Sequence, residues 1–184
     1  MSKEIHISIF GEKEIPKLDL IRYYIKTHNI NEVKPKEGRV AFKIDSTLFK
    51  IYEYSDTQNV RNKDITNNNL CVIIMFDMTK RKSFLDVLDK WIKFLKELKY
   101  NNKIVLFGDG KKEALAMTDE KEIRYLIKIA EINGDFFDLR TMEENDKFKL
   151  VDILIEALFN YAKNNKNKRG CNIFYLFNIF IFLF

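Results

Sequence analysis

The strongest constraint on the fold is an uninterrupted run of seven apolar residues, Leu70-Cys71-Val72-Ile73-Ile74-Met75-Phe76. A run without polar alternation is typical of a strand that is covered on both faces. After it, apolar residues recur at helical spacing, namely Phe84, Val87, Leu88, Trp91, Ile92 and Leu95. A doubly covered strand followed by an amphipathic helix predicts an α/β fold with a mainly parallel sheet.

The rest of the chain repeats this alternation of strand and helix. Further strands are predicted at 5–10, 104–107 and 136–139, and further helices at 18–25, 122–132 and 148–161. Two segments, Arg39 to Asp45 and Leu48 to Tyr54, alternate apolar and polar residues around Ser46-Thr47, which indicates a β-hairpin. We therefore expect six strands, one of them antiparallel, with helices on both faces. The segment from Ser55 to Asn69 is poor in apolar residues and is predicted to be a mobile loop.

Length and charge limit the classes of protein that need to be considered. With 184 residues the chain is long enough for one well-formed core, so one domain is expected at 1–163, followed by a basic linker and an apolar tail at 164–184. The net charge of +5 is distributed along a chain with 27 acidic residues, so nucleic acid is not an expected partner. Cys71 and Cys171 are too far apart in sequence for a zinc-site pattern, and the N-terminus enters a strand directly, so we expect a cytoplasmic protein.

The turn after the first strand has the spacing of a phosphate-binding loop. It reads Gly11-Glu12-Lys13-Glu14-Ile15-Pro16-Lys17-Leu18, which compares with G-x-x-x-x-G-K-[ST] between a strand and a helix. Gly11 and Lys17 match that pattern, whereas Pro16 and Leu18 replace its second glycine and its hydroxyl residue. The candidate cofactor-binding residues in this loop are therefore Gly11 and Lys17.

With this loop in place, the order of elements from Ile5 to Tyr161 resembles that of the Ras/Rab small GTPase superfamily. The local similarity is clearest at Val72–Thr79, followed by Ser83-Phe84 and Trp91. The resemblance implies a three-layer P-loop NTPase domain with six strands and five helices. It also implies GTP or GDP and Mg²⁺ as the cofactors that such a domain uses.

The motifs that read the nucleotide in this superfamily are altered here. Pro16 has no amide hydrogen to offer a phosphate, and Leu18 brings an apolar group to the position of the metal-binding hydroxyl. Where the superfamily has W-D-x-x-G-Q, this chain has Tyr54–Asn59, in which Asp56 and Gln58 are the remnants.

The two motifs that contact the guanine base are also replaced. Where the superfamily has N-K-x-D, this chain has Gly108–Lys112, which ends in a lysine that cannot accept hydrogen bonds from the base. The S-A-K motif has no recognisable counterpart near Leu139–Met142. These changes predict a degenerate member of the superfamily.

Two hypotheses on function follow from the resemblance. In the first, the protein is a binding module connected with vesicle traffic or signalling, with no catalytic residue, no metal and no cofactor, that contacts protein partners through the switch-equivalent segments 29–39 and 55–69. In the second, it is a divergent but active GTPase that binds GTP and Mg²⁺ through Lys17 and Asp56, with Gln58 positioning the attacking water. A third reading, an unrelated doubly wound α/β fold such as a flavodoxin-like domain, does not predict the β-hairpin.

The tail, CNIFYLFNIFIFLF from Cys171 to Phe184, would be an exposed apolar surface unless something covered it. It is too short to cross a bilayer as a helix, but Lys166, Lys168 and Arg169 precede it, which predicts peripheral attachment to a cytosolic membrane face, with Cys171 as a candidate lipidation site. The alternative is that the tail is a translated non-coding extension or an aggregation-prone segment.

Overall fold

The computed structural model describes residues 3–33, 37–60, 65, 69–112 and 114–164. These form a single six-stranded sheet in the order β2-β3-β1-β4-β5-β6. The strands are β1 (Lys3–Phe10), β2 (Arg39–Ile44), β3 (Thr47–Tyr54), β4 (Asn69–Asp77), β5 (Lys103–Asp109) and β6 (Gly134–Asp138). All neighbouring strands are parallel except β2, which pairs with β3 in the antiparallel direction.

Four helices accompany the sheet in the described part of the chain. They are α1 (Asp19–Thr27), α2 (Arg81–Asp86, Val87–Ile92 and Lys93–Glu97, three consecutive stretches), α3 (Glu120–Ile129) and α4 (Glu144–Asn164). The middle stretch of α2 is π-helical. A π-helical turn is wider than an α-helical one, and Trp91 and Ile92 within it are both buried. The sequence pattern predicted the helix but not this widening.

Two hydrophobic clusters lie on the two faces of the sheet. Ile73 and Met75 of β4 pack with the cluster that includes residues of α1 and α4, whereas Val72 and Ile74 pack with residues of α2 and α3. Alternate residues of a strand point to opposite faces, so a strand buried on both sides must be apolar at every position. This explains the continuous apolar run of β4.

The predicted fold class is confirmed: the chain is a six-stranded, mostly parallel α/β domain with one antiparallel strand and helices on both faces. The hairpin of β2 and β3 is present, which counts against a flavodoxin-like arrangement. Of the predicted loop from Ser55 to Asn69, residues 61–64 and 66–68 lie outside the described residues. The described part contains a short 3₁₀ turn, Thr57–Asn59.

The parallel strands define two edges of the sheet. At the carboxyl edge the chain leaves β1, β3, β4, β5 and β6, so the loops that follow these strands come together there. In open α/β sheets this is the edge where ligands bind. The opposite edge, where these strands begin, is called the amino edge below.

Candidate functional site

The phosphate-loop candidate begins at Gly11, where the chain leaves β1 at the carboxyl edge. The Gly11 amide donates to the carbonyl of Tyr54 at 3.2 Å. A Cβ atom on Gly11 would lie 2.5 Å from the carbonyl oxygen of Met75, and the Gly11 φ of 157° is one that other residues rarely adopt. Glycine is therefore required here by close backbone packing, whether or not a nucleotide binds.

Lys17 lies inside the loop with only 2% of its surface exposed. Its Nζ donates to the carbonyl of Glu12 at 2.6 Å, to the carbonyl of Ile15 at 3.3 Å and to the Ser55 hydroxyl at 3.1 Å. An ammonium group has three hydrogens to donate. Three protein oxygens already surround the cation that a phosphate-binding loop directs to the nucleotide.

The electrostatic surroundings of Lys17 reflect this burial. Loss of water lowers the pKa of Lys17, and the negative charges of Glu53, Glu14 and Glu12 oppose that shift without reversing it. Two of those carboxylates belong to the loop itself. The loop therefore presents negative charge where a phosphate-binding loop presents mainly backbone donors.

Two backbone donors of the loop are also engaged within it. The amide of Ile15 donates to the Glu12 carbonyl at 3.2 Å, and the amide of Lys17 donates to the Ile15 carbonyl at 2.8 Å. Pro16, between them, has no amide hydrogen. Binding of a phosphate by the Ile15 and Lys17 amides would require these bonds to open.

Leu18 ends the loop and precedes α1. Leu18 is 1% exposed and Ile15 is 7% exposed, and both pack into the core beneath α1 and α4. Magnesium is bound through oxygen atoms, which a buried leucine cannot supply. Among the residues that the structure describes, no group of three or more His, Cys, Asp or Glu side chains is placed to hold a metal ion. The side chains at this loop therefore do not fit Mg²⁺ in the way the superfamily pattern requires.

The residue that joins the loop to the segment after β3 is Ser55. Its hydroxyl accepts from Lys17, and its carbonyl accepts from the Nζ of Lys90 at 3.0 Å. The Lys90 ammonium also lies 4.3 Å from the ring centre of Trp91. We call this arrangement, in which Lys17 and Lys90 both bind Ser55, the Ser55 clamp.

Sequence reasoning did not single out Ser55. The pairing of the strands is what places Ser55 near the loop, because β1 and β3 are parallel neighbours with Phe10 opposite Tyr54. The residues that follow, Gly11 and Ser55, must therefore leave the sheet side by side. The sequence alone does not show that β1 and β3 are neighbours, so this register could not be used to place Ser55 beside the loop.

The two remnant candidates lie just beyond the clamp. The Asp56 carboxylate accepts from the amide of Gln58 at 3.3 Å and from the Thr57 hydroxyl at 3.4 Å, which caps the 3₁₀ turn Thr57–Asn59. The Gln58 side chain is exposed. Asp56 thus has a local capping role, and among the described contacts it is Ser55, not Asp56, that binds Lys17.

At the end of β4, the carboxylate of Asp77 organises a tight turn. Its Oδ1 accepts from the amide and the hydroxyl of Thr79 at 2.9 and 2.6 Å, and its Oδ2 lies 3.1 Å from the Nζ of Lys80. Burial raises the pKa of Asp77, but the hydrogen bonds from Thr79 and Lys80 outweigh it and leave the pKa below its usual value. Gly110 packs against this turn, since a Cβ there would lie 2.9 Å from the Asp77 Oδ1.

The base-reading side of the superfamily's site corresponds to the ends of β5 and β6. Arg140 is folded onto Asp138, with Nε and Nη2 donating to the two carboxylate oxygens at 3.2 and 3.0 Å. Lys112, the lysine that ends the altered motif, forms an exposed ion pair with Glu143 at 3.1 Å. Arg140 and Lys112 are therefore each paired with a carboxylate.

The membrane candidates Lys166, Lys168, Arg169 and Cys171 lie outside the described residues. Among the residues the structure does describe, no helix has both the length and the apolar composition needed to cross a membrane.

Fold and loop position together define the class: an α/β domain with the strand order and the loop placement of a small GTPase-type P-loop fold. No family model matches the chain. The chain is similar to the Ras-related protein RabV of Dictyostelium discoideum, with 29% identity over 119 residues. This match covers 60% of the chain and 51% of RabV, so the chain spans about half the length of that relative. The similarity supports the resemblance to the Ras/Rab superfamily at a distance.

Proposed function

We propose that this protein is a nucleotide-independent binding module on a Ras/Rab-like fold, which acts in vesicle traffic or signalling by presenting a fixed surface to a protein partner. The similarity to a Ras-related protein supports the fold and this broad area of biology. The altered loop supports the loss of nucleotide dependence.

The observation that carries the proposal is that protein oxygens already occupy the hydrogen-bond donors of Lys17. Its ammonium is buried and bonded to the Glu12 carbonyl, the Ile15 carbonyl and the Ser55 hydroxyl. A phosphate could reach it only by displacing these oxygens, among the charges of Glu12 and Glu14. The free energy of that exchange opposes nucleotide binding, because the displaced carbonyls would lose their charged donor.

The Ser55 clamp supplies an alternative to the nucleotide. In GTPases the γ-phosphate and Mg²⁺ order the switch loops, which relax after hydrolysis. Here Lys17 and Lys90 hold the first residue after β3 from two sides. The described beginning of this segment is thus ordered by the protein's own cations, and no hydrolysis step would release it.

The surface offered to a partner starts at the clamp. Gln58 and Asn59 are exposed on the 3₁₀ turn, and the buried Val60 anchors its end. An anchored, exposed polar turn is suited to binding without a large ordering cost. We expect the partner to be a protein that contacts this turn.

Calorimetry on the full chain tests the proposal, with GTP, GDP and ATP, each with and without Mg²⁺. We expect no binding heat from any nucleotide and no difference between the natural chain and Lys17→Ala. Hydrogen exchange of the amides at 55–60 should be slow without nucleotide and unchanged when GTP is added. Submicromolar, Mg²⁺-dependent binding of GTP that Lys17→Ala abolishes, with Lys13→Ala as the matched control, would instead establish a divergent GTPase.

A further inference from the structure

Large exposed apolar side chains are concentrated on one surface of the protein. Among the residues that the structure describes, the large apolar side chains with the greatest exposure are Tyr23, Leu85, Leu115, Met117, Tyr125 and Ile129. Tyr23 is on α1, whereas all the others are on α2, on α3 or in the loop before α3, on the opposite face of the sheet. Exposed apolar residues of a monomer are usually scattered singly, so this concentration indicates a binding surface.

The centre of this surface is an ion pair between the first turns of α2 and α3. Nη1 of Arg81 lies 2.8 Å from the carboxylate of Glu122, and the Arg81 guanidinium lies 5.1 Å from the ring centre of Phe84. The same Nη1 donates to the carbonyl of Met117 at 3.5 Å. These contacts hold Arg81 in one position before anything binds, so little further ordering is needed on association.

Apolar side chains surround this ion pair. Leu85 and Tyr125 each lie one helical turn beyond the pair, on the same side of the helix as its charged residue. Met117 is at the pair itself, and Leu115 precedes it by two residues in the loop before α3. The exposed fractions are 44% for Leu85, 65% for Tyr125, 52% for Met117 and 84% for Leu115. We call these four residues, together with the ion pair, the Tyr125 surface.

The area of the Tyr125 surface is suited to a protein interface. Its apolar residues leave on the order of 500 Å² in contact with water, which is comparable to the largest apolar patch of an ordinary monomer. A standard interface buries about 800 Å² on each partner, with an apolar centre and a polar rim. Interfaces between identical chains are the more apolar ones. The Tyr125 surface therefore has the size and composition of the centre of such an interface.

The ion pair also makes this surface complementary to itself. Helices α2 and α3 run in the same direction, from the carboxyl edge to the amino edge, because each follows a parallel strand. A two-fold axis along the line between them would lay α2 of each copy on α3 of the other. Arg81 of each chain would then face Glu122 of the other, so covering the pair leaves neither charge without a partner. Leu85 would face Tyr125 across the same axis.

The remaining charges of the two helices form the rim of this contact. Asp89 of α2 would face Lys128 of α3 across the axis, and neither forms an ion pair with another residue in the part of the chain that the structure describes. Lys82 and Lys121 would repel one another, but both are exposed, and a lysine side chain is long enough to keep its ammonium in solvent. A wet, charged rim of this kind is usual around an apolar interface centre.

We propose that the Tyr125 surface binds the same surface of a second copy of this chain, which gives a two-fold symmetric dimer through α2, α3 and the loop before α3. Burial of the four apolar side chains drives the association. Exchange of the ion-pair partners between the two chains sets its orientation. The dimer is independent of the proposal on nucleotide binding, because the Tyr125 surface does not include the loop at Lys17.

Sedimentation velocity on the full chain tests the dimer at concentrations from about 1 to 100 μM. We expect the natural chain to dimerise within that range, since interfaces of standard size have micromolar or tighter affinity. Tyr125→Asp should raise the dissociation constant at least about tenfold, because an aromatic residue at an interface centre is a typical hot spot. Tyr23→Asp, at the exposed tyrosine of α1, is the matched control and should leave the dissociation constant unchanged. Trp91 fluorescence checks that each variant is folded.

A charge-exchange experiment tests the orientation of the two chains. Arg81→Glu and Glu122→Arg would each place like charges opposite one another in a dimer of the single variant, so each variant alone should be monomeric over the same range. Mixed in equal amounts, the two variants should form a heterodimer whose dissociation constant is within about tenfold of the natural one, because each chain then meets opposite charges. A loss of stability in either variant alone could not produce this rescue.

Three results would overturn the proposal. A natural chain that stays monomeric up to about 100 μM would mean that the Tyr125 surface does not bind a second copy. Association that Tyr125→Asp leaves unchanged would place the contact in another part of the chain, such as the apolar segment 171–184. Dimers that both charge variants lose and that mixing does not restore would contradict the exchanged ion pair.

Discussion

Replacing Lys17 by methionine tests whether this lysine stabilises the unliganded protein or serves to bind a nucleotide. Methionine keeps most of the apolar stem but removes the ammonium and its three bonds, of which those to the Glu12 carbonyl and the Ser55 hydroxyl are the shorter, at 2.6 and 3.1 Å. In a lysine that serves a nucleotide, the change would weaken nucleotide affinity and leave the unliganded protein largely intact. Here we expect the unliganded protein itself to lose stability.

The size of the loss follows from these contacts. A hydrogen bond from a charged donor contributes about 1.5 kcal/mol or more, so two of them contribute about 3 kcal/mol. Methionine also removes the cost of burying a cation, which offsets part of this sum. We expect a net loss of about 2 kcal/mol in the free energy of unfolding, or roughly 4–8 °C in Tm for a domain of this size.

Urea unfolding followed by Trp91 fluorescence measures this loss, because Trp91 is the sole tryptophan and is buried against Phe10. Lys13→Met is the matched control, since Lys13 is exposed in the same loop. It should change stability by less than about 0.5 kcal/mol. If Lys17→Met were as stable as Lys13→Met, the reasoning from the closed loop would be refuted.

Three further changes test separate contacts. Gly11→Ala should lower the free energy of unfolding by about 2 kcal/mol or more with or without nucleotide, because its Cβ would meet the Met75 carbonyl at 2.5 Å; equal stability in a thermal melt would contradict this. Asp77→Asn should destabilise the protein by about 1–2 kcal/mol near neutral pH. The folded pKa of Asp77 is lowered, so its contribution is present above the ordinary carboxyl pKa and is lost as pH falls through the folded value. The unfolding free energies of the two proteins in urea should therefore converge as the pH falls below the folded pKa of Asp77, and a pH-independent gap would count against the charge. Lys90→Gln should speed hydrogen exchange at the amides after Ser55 several-fold without changing global stability by more than about 1 kcal/mol, while an unchanged exchange rate would show that Lys90 does not hold this segment.

The sequence determined the fold class because hydrophobic periodicity is a local property. The apolar run of β4, the helical spacing after it and the alternating hairpin of β2 and β3 each predict an element without knowledge of its neighbours. Their order then restricts the sheet to a mainly parallel arrangement. The π-helical stretch at Val87–Ile92 escaped prediction, because the spacing of Val87, Leu88, Trp91 and Ile92 is that of an ordinary α-helix.

In the candidate site, too, the sequence identified some residues, whereas their contacts became known only from the structure. Gly11 and Lys17 could be found from spacing alone, and the replacements at Pro16 and Leu18 could be read directly from the sequence. What Lys17 binds could not, because Ser55 is 38 residues away and becomes its partner only when β1 and β3 lie side by side. Sequence fixes which groups are available, whereas the tertiary structure decides which of them meet, since hydrogen bonds depend on distances of about 3 Å that no local pattern encodes.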